Sequence, residues 1–372
     1  MDFRHTSLVA AISLLCLSCS SLPRSTDTTA ELQATALHPY GRYTLNSAQH
    51  LELVSSAAHF GFSFEGNEAA IYASIPNADG HNYLQYELDG EYQKRIRIAG
   101  NATDPILISA PSEGKHTVWV YKATEAHTGP IEIRKITGRN LEAIEEKAAP
   151  VIEFIGNSIT CGAAADPSEV PCGTGEYHDQ HNALMAYGPR VAKAVGANYV
   201  ISCVSGIGAY RNWNSDGPTM PEVYEQVDFR DTSPQRWDFS AFTPQVVSIA
   251  LGTNDFSNGD GKKERLPFDS TRFVNSYISF VQQVKKKYPA AQIALLSSAM
   301  VNGNNRITLQ NALTVVKEQI DARYPADRPV ALHFFQPMQA SGCSGHPSVQ
   351  EHAVLAEELA PFFTKLLAPQ RE

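Results

Sequence analysis

Short apolar runs with aromatic residues alternate with polar positions between residues 36 and 138. This period of two is typical of half-buried strands, and turn residues separate the runs. Asp89-Gly90 predicts the clearest hairpin, because it lies between two alternating runs. The candidate strands are Arg42–Leu45, Leu51–Val54, His59–Phe64, Ala70–Ile75, Tyr83–Leu88, Tyr92–Ile98, Ile106–Ser109, Thr117–Tyr121 and Ile131–Ile136. We predict an antiparallel β-sandwich of the jelly-roll type over residues 36–138, in which no group of residues suggests chemistry.

A different pattern follows a charged connector at residues 139–149. Short apolar runs now alternate with stretches in which apolar residues recur with helical spacing. The runs are Val151–Ile155, Tyr199–Cys203, Val246–Leu251, Ile293–Leu296 and Val330–Phe335, and the helical stretches are Phe273–Val284, Leu309–Ile320 and Val349–Leu359. Pro361 is expected to kink or end the last helix, because proline lacks an amide hydrogen. The alternation predicts a three-layer α/β domain with a parallel sheet over residues 150–372.

Residues 1–19 have the pattern of a secretory signal peptide. Basic residues precede an apolar stretch, Leu8–Leu17, and small residues follow it. Ser18-Cys19 resembles a bacterial lipoprotein cleavage site, so we predict lipidation of Cys19 and attachment to the cell envelope. Export to the periplasm or secretion without a lipid anchor is the alternative. Residues 20–35 are polar and rich in serine and threonine, which predicts a flexible linker.

Length and composition narrow the class of protein. A chain of 372 residues suggests two domains, in agreement with the change of pattern. Hydrophobic residues make up 43% of the chain and charged residues 19%, which excludes a disordered protein. No apolar run is long enough to cross a bilayer. The net charge of −9 offers no basic face to a nucleic acid.

Four candidate residues follow the predicted strands of the second domain, where α/β sheets gather their functional groups. Ser158 follows the first strand, although a lone serine there is more often a turn or cap residue. Gly206 follows the second strand, where its N–H could donate to an oxyanion, although ordinary turns use glycine too. Asn254 follows the third strand and can aim a side-chain N–H into the same space, whereas Asp255 is expected to hold the loop.

His346 lies just before the last predicted helix. Ser348 and Glu351 form a capping box that begins this helix near Ser348. The sheet order would bring the preceding loop beside Ser158, which would give that serine a neighbouring base. Other histidines lack such a placement and are expected in surface or core roles; they are His38, His50, His59, His81, His116, His127, His178, His181, His333 and His352.

Taken together, the motifs resemble a known family. FIGNSITCG, ALGTNDFS and GCSGHP resemble the blocks of the SGNH (GDSL-like) hydrolases over Pro150–Leu367 and, more narrowly, those of carbohydrate esterase family two. That family joins an N-terminal jelly roll to a C-terminal SGNH domain, which matches the two patterns. The resemblance implies an esterase that removes O-acetyl groups from plant polysaccharides such as xylan and glucomannan, or from their oligosaccharides, without a cofactor.

The resemblance also implies a role for each residue. Ser158 would be the nucleophile and His346 its general base. The N–H groups of Ser158 and Gly206 and the side chain of Asn254 would hold the oxyanion. Trp213 is a candidate sugar-stacking face, with a buried core position as the alternative. No metal is implied, and the sequence has neither an HExxH motif nor a pair of CxxC motifs.

One position departs from the SGNH pattern. Many of these enzymes have an aspartate two residues before the histidine, where this chain has Ser344. We therefore predict a dyad of Ser158 and His346 without a carboxylate. The second ring nitrogen would be held by a backbone carbonyl within residues 341–345, or else by the Ser344 hydroxyl.

The four cysteines beyond the signal segment would meet an oxidising compartment after export. Cys161, Cys172, Cys203 and Cys343 allow three full pairings. A Cys161–Cys172 bridge across the loop after Ser158 is one hypothesis. Burial of Cys203 as a free thiol is the other.

Two further functions compete with the carbohydrate esterase. An SGNH lipase or thioesterase would need a long apolar groove, which Arg211–Asp216 does not suggest. A carbohydrate-binding surface protein with a decayed site would be expected to lose part of the four-residue set, and this chain retains all four residues.

Overall fold

The computed structural model describes residues 29–368, together with Met1. The predicted signal peptide, with Cys19, therefore lies outside the described residues apart from Met1. Within residues 29–368, no helix is long and apolar enough to span a bilayer.

The N-terminal part is a nine-stranded antiparallel sheet, as the alternating pattern predicted. Its strands are β1 (Ala30–Gln33), β2 (Tyr43–Leu45), β3 (Leu51–Leu53), β4 (His59–Ser74), β5 (His81–Leu88), β6 (Glu91–Ala99), β7 (Ile106–Ser109), β8 (Lys115–Lys122) and β9 (Ile131–Ile144). Strand β4 pairs with β8 through its first half and with β7 through its second, and β9 pairs along much of its length. This change of partner lets one continuous sheet enclose a core.

Local sequence explains the two clearest features of this sheet. Phe60, Phe62 and Phe64 are fully buried in the core, because alternate residues of a strand share a face. The predicted hairpin joins β5 to β6 through Asp89 and Gly90, both with positive φ, as a tight two-residue turn requires.

The sheet extends beyond the predicted boundaries at both ends. Strand β1 lies in the segment predicted to be a linker, and β9 continues to Ile144, inside the predicted connector. Strand β1 pairs with residues 135–138 of β9, and the part of β9 beyond residue 138 pairs with β4. Neither segment has enough apolar residues to show this pairing in the sequence.

The C-terminal part is a parallel five-stranded sheet in the order β11-β10-β12-β13-β14, which confirms the α/β prediction. Its strands are β10 (Val151–Gly156), β11 (Asn198–Cys203), β12 (Val246–Ala250), β13 (Gln292–Leu296) and β14 (Ala331–His333). The helices are α1 (Ser158–Cys161), α2 (Tyr187–Val195), α3 (Met220–Val223), α4 (Thr253–Phe256), α5 (Ser270–Lys287), α6 (Gly303–Arg323) and α7 (Val349–Leu367). Short 3-10 helices lie at Ala34–Ala36, Ala126–Thr128, Tyr177–Gln180 and Cys343–Gly345.

Helices cover both faces of the parallel sheet. Neighbouring residues of β10 show this, since Phe154 packs in the core with α2 and α7, whereas Ile155 packs in the core with α5 and α6. Continuous apolar strands are expected where both faces are buried. The carboxyl ends of these strands form one edge, from which the loops containing Ser158, Gly206 and Asn254 emerge.

Pro361 does not end helix α7, so one of the two outcomes predicted for this proline is wrong. The helix continues through Pro361 to Leu367 instead of ending. Leu359 and Phe363 are fully buried on either side of the proline, and their packing holds the two turns together. The carbonyl that loses its amide partner belongs to Glu357, which is exposed, so water can satisfy it.

A buried ion pair joins the two domains. Arg42, before β2, lies 3.7 Å from Glu153 of β10, and both side chains are at most 1% exposed. The Arg42 Nη1 group donates to the carbonyls of Tyr224 at 2.8 Å and Gln226 at 2.7 Å. Glu153 accepts the Tyr224 hydroxyl at 2.8 Å and the Ser202 hydroxyl at 2.6 Å. Each charge depends on the other, because an unpaired ion in this interface would be costly.

Removal of the arginine should therefore weaken the whole molecule. We expect Arg42→Met to lower the free energy of unfolding by about 3–5 kcal/mol, because Glu153 would stay buried without its counter-charge. The double variant Arg42→Met/Glu153→Gln should recover part of this loss. Urea unfolding monitored by circular dichroism measures both, and equal losses in the single and double variants would contradict the ion-pair account.

Candidate active site

Ser158 lies in a tight turn at the carboxyl end of β10. It begins the single-turn helix α1, and Asn157 caps this turn by accepting the N–H of Ile159 at 3.1 Å. Gly156 is needed because a Cβ at this position would lie 2.0 Å from Thr160 Oγ1. The sharp turn places Ser158 at the base of a cleft, where the residue is 7% exposed.

His346 approaches Ser158 from the loop before α7. Its Nε2 lies 2.8 Å from Ser158 Oγ, a distance suited to a hydrogen bond from the hydroxyl to the ring nitrogen. Its Nδ1 lies 3.2 Å from the backbone oxygen of Ser344, the type of acceptor predicted from the sequence. Left-handed backbone at Ser344 (φ +52°) and Gly345 (φ +71°) turns this carbonyl toward the ring. The predicted capping box is present, with Ser348 and Glu351 bonded reciprocally at the start of α7.

The loops after β11 and β12 border the same cleft. Gly206 has a φ of +76°, which favours glycine, while Asn254 lies in the first turn of α4. The Asn254 amide nitrogen donates one hydrogen to the carbonyl of Ile207 at 2.7 Å. The structure therefore brings Ser158, Gly206, Asn254 and His346 together along one cleft.

Asp255 has the structural role that was predicted for it. Its fully buried carboxylate accepts the N–H groups of Ala209, Tyr210 and Arg211 at 2.9–3.2 Å. Burial raises the pKa of Asp255, and the three N–H groups act in the opposite direction. The interaction holds the loop after Gly206 against α4.

The cleft has a volume of about 690 Å³ and a mixed lining. Val204, Ile159 and Met300 contribute apolar surface, and serine and threonine hydroxyls contribute polar surface. Trp213 lines the cleft and is 43% exposed, so the alternative of a buried core tryptophan is excluded. The cleft can therefore offer an aromatic face within reach of Ser158.

Comparisons with known proteins give the same two-part organisation. Residues 40–145 match the model described as "Carbohydrate esterase 2 N-terminal", and residues 154–333 match the GDSL-like Lipase/Acylhydrolase family. A solved family two carbohydrate esterase from Corynascus thermopiles (Myceliophthora fergusii) is 30% identical, with a TM-score of 0.73 over 89% of this chain and 99% of that one. The chain belongs to carbohydrate esterase family two.

Two further relatives of this family two esterase are informative. An acetylxylan esterase / glucomannan deacetylase of Cellvibrio japonicus is 26% identical over 301 residues, which are 79% of each chain. A family two carbohydrate esterase from Clostridium thermocellum, solved with cellohexaose, is 26% identical, with a TM-score of 0.77 over 91% of this chain and 99% of that one.

The disulfides of this family two esterase differ from the predicted bridge. Cys161 is bonded to Cys203 and Cys172 to Cys343, so the Cys161–Cys172 hypothesis is wrong. Helix α1 packs over the end of β11, which brings Cys161 to Cys203, with their Cα atoms 5.6 Å apart. The following loop leads Cys172 away to the histidine loop. Proximity in the sequence favoured the wrong partner.

The N-terminal domain contributes to the site, although its sequence suggested no chemistry. Glu125 is fully buried, and its carboxylate accepts the N–H of Ser205 at 2.6 Å and the Ser205 hydroxyl. It also accepts Nε2–H of buried His181 at 2.9 Å, while His127 Nδ1 lies 3.3 Å away and His127 lines the cleft. The only signal in the sequence was the mostly polar segment 124–128, which follows the predicted strand Thr117–Tyr121 after two residues.

Burial and neighbouring charges set the protonation states of Glu125 and His346. Burial alone would raise the pKa of Glu125, but the charge of His127 and the hydrogen bonds of His127 and His181 hold it well below the usual value. Burial lowers the pKa of His346, and His181 adds to this fall, while Glu125 opposes it. His346 is therefore neutral at neutral pH, the state in which its Nε2 can accept a proton.

One group of described residues could hold a metal ion. Potential ligand atoms of His81, His178 and Asp179 lie within 4.8 Å of one another, at the boundary between the domains. Asp179 already accepts hydrogen bonds from His81 Nε2 and from the Tyr83 hydroxyl at 2.8 Å. None of the three residues contacts Ser158 or lines its cleft.

The disulfides should stabilise the folded protein. We expect Cys172→Ser/Cys343→Ser to lower the free energy of unfolding by about 2–4 kcal/mol, because the bridge restricts the unfolded chain. Non-reducing peptide mapping should find the pairs Cys161–Cys203 and Cys172–Cys343. A map that joined Cys161 to Cys172, or found four free thiols, would contradict the structure.

Proposed function

We propose that this esterase removes acetyl groups from acetylated plant polysaccharides, such as xylan and glucomannan, or from their oligosaccharides. The observation that carries the proposal is the 2.8 Å contact between Ser158 Oγ and His346 Nε2 in a cleft bordered by Gly206 and Asn254. The similarity to an acetylxylan esterase / glucomannan deacetylase supports this class of substrate.

Acyl transfer through Ser158 accounts for each group at the site. His346 accepts the Ser158 proton as Oγ attacks the acetyl carbonyl, and then passes it to the departing sugar oxygen. Water attacks the resulting acetyl-serine, and His346 accepts the proton of that water. The bond between the acyl carbon and Ser158 Oγ then breaks, acetate leaves, and His346 returns the proton to Oγ. The N–H groups of Ser158 and Gly206 and the second Asn254 amide hydrogen stabilise the oxyanion in both halves of the reaction.

The backbone acceptor of His346 completes a dyad. The Nδ1–H group donates to the Ser344 carbonyl, which keeps Nε2 free to accept the Ser158 proton. A neutral carbonyl fixes this tautomer, as a carboxylate would, but stabilises the charged imidazolium less. The dyad therefore needs no aspartate at position 344.

An exposed tryptophan and several hydroxyl groups in the cleft favour a sugar over a long acyl chain. Trp213 offers an exposed aromatic face, and Ser205, Ser257 and Thr253 add hydroxyl groups. A lipase or thioesterase acting on long chains would be expected to have a continuous apolar groove instead.

A side-by-side assay of acid release from acetylated xylan, acetylated glucomannan, mono-acetyl sugars and long-chain esters tests the proposal. Preference for long-chain esters, or carbohydrate binding without acetate release, would favour the competing functions.

Substitutions at Ser158, His346 and Ser344 should show how much each residue contributes to kcat. Ser158→Ala and His346→Ala should each lower kcat by about 10³-fold or more, because nucleophile and base act as a unit. Ser344→Ala should lower kcat by less than about tenfold, or about 1.4 kcal/mol, because the accepting carbonyl stays in place. Acetate release under saturating substrate measures all three. If Ser344→Ala were as damaging as His346→Ala, the backbone-acceptor account would fail.

We also propose that the protein is exported and anchored through a lipid on Cys19. The support is the apolar segment Leu8–Leu17 followed by Ser18-Cys19. Labelled palmitate should be incorporated into the native chain in bacterial cells and not into Cys19→Ala. Recovery of the native chain as an unlabelled protein, cleaved after another residue, would rule out the anchor.

A further inference from the structure

The dyad lacks a carboxylate on Nδ1, yet a buried carboxylate lies on the other side of the histidine. This carboxylate belongs to Glu125 of the N-terminal domain, and it contacts Ser205 and His181 of the C-terminal domain. Two hydroxyl groups, those of Ser205 and Tyr177, lie between this carboxylate and His346. Ser205 Oγ contacts Glu125 Oε1 and lies 3.2 Å from Tyr177 Oη, which in turn lies 3.4 Å from His346 Nε2.

The direction of each hydrogen bond follows from the number of hydrogens. An ionised carboxylate only accepts, so the single Ser205 hydroxyl hydrogen points to Glu125. Tyr177 must then donate its hydrogen to Ser205 Oγ. Only lone pairs of Tyr177 Oη are left to face His346 Nε2.

This arrangement distinguishes the two protonation states of His346. In the resting dyad Nε2 accepts the Ser158 hydrogen, so no hydrogen lies between Nε2 and Tyr177 Oη. Once His346 has taken the proton, Nε2–H can be shared with that oxygen, whose lone pairs are polarised by the hydroxyl chain ending at Glu125. An interaction that strengthens only as the imidazolium forms accelerates the reaction.

We propose that Glu125, Ser205 and Tyr177 form a relay that stabilises the His346 imidazolium and so replaces the missing triad carboxylate. No proton moves along the relay; the proton stays on Nε2 until it passes to the departing oxygen. Glu125 and Ser205 are thus positioning residues that act through Tyr177. The proposal rests on the proposed Ser158–His346 chemistry.

Four other titratable side chains lie near Glu125 or His346, namely His181, His352, Lys122 and His127. His181 and His352 are the titratable histidines nearest to His346 in their electrostatic effect. The His181 ring accepts the Ala164 N–H at Nδ1 and donates to Glu125 from Nε2. This is the hydrogen-bond pattern of a neutral histidine. Burial lowers the pKa of His181 and lowers that of His352 to about 3, so neither competes for the proton. Lys122 and His127 lie close to Glu125, and burial lowers the pKa of Lys122 to about 7.

Two conservative variants test the relay without disturbing the loop that Glu125 holds. Tyr177→Phe removes the bridging hydroxyl and keeps the ring, and Ser205→Ala removes a hydroxyl while its N–H still donates to Glu125. Each should lower kcat by about tenfold, or about 1.4 kcal/mol, with KM changed by less than about twofold. Tyr210→Phe is the matched control, because its hydroxyl accepts the Asp269 N–H at 3.0 Å and contacts no residue of the relay.

A second readout does not depend on the substrate. Loss of the relay should lower the pKa of His346, because the charged ring loses an acceptor polarised by Glu125. NMR titration of the histidine-labelled full chain, with the His346 signal assigned from His346→Gln, measures this directly. The acid limb of kcat/KM should move to lower pH in the same variants and stay in place in Tyr210→Phe.

The outcomes separate this proposal from the proposed substrate. A lowered pKa of His346 in Tyr177→Phe and Ser205→Ala supports the relay even if acetylated polysaccharides prove to be the wrong substrate. An unchanged pKa together with unchanged kcat overturns it, and so does an effect confined to KM, which would make Tyr177 only a wall of the cleft. Glu125→Gln should lower both kcat and the pKa of His346; if that variant fails to fold, the two hydroxyl variants still decide.

Discussion

A buried negative charge on Glu125 is the constraint on which the site depends. A carboxylate removed from water must be matched by donors, and here they come from both domains: the Ser205 N–H and hydroxyl, His181 and His127. All of these donors are in place only when the N-terminal sheet is docked on the parallel sheet. The loop containing Gly206 therefore has its position set by a residue outside its own domain. The Arg42–Glu153 ion pair is a second buried charge interaction between the two domains.

The sequence predicted much of the C-terminal domain and of the site. The five strands were recognisable because strands buried on both faces are continuously apolar. Ser158, Gly206 and Asn254 follow such strands, and His346 precedes a helix with a clear capping box. Parallel topology alone is enough to bring residues at these positions to one edge of the sheet.

What the sequence could not predict depends on contacts between distant segments. The Ser205–Glu125 interaction joins residues 80 positions apart, and nothing in the segment around Glu125 distinguishes it from an ordinary loop. The predicted Cys161–Cys172 pairing was wrong because proximity in the sequence does not show which segments pack together. Helix α1 packs against the end of β11, and this contact brings Cys161 to Cys203. Pro361 does not end its helix, because the packing of Leu359 and Phe363 outweighs the local cost of a proline.

The Cys172–Cys343 bridge also has a consequence for the order in which the molecule matures. It links residues 171 positions apart, and Cys343 is followed three residues later by His346. Four of the five strands of the parallel sheet lie between these two cysteines in the sequence, so the fold of the sheet is what places the two thiols side by side. A chain still being synthesised, or one cut before residue 346, would contain the proposed nucleophile without its proposed base. We therefore expect ester cleavage only from chains that extend through His346 and have folded so that its loop meets Ser158.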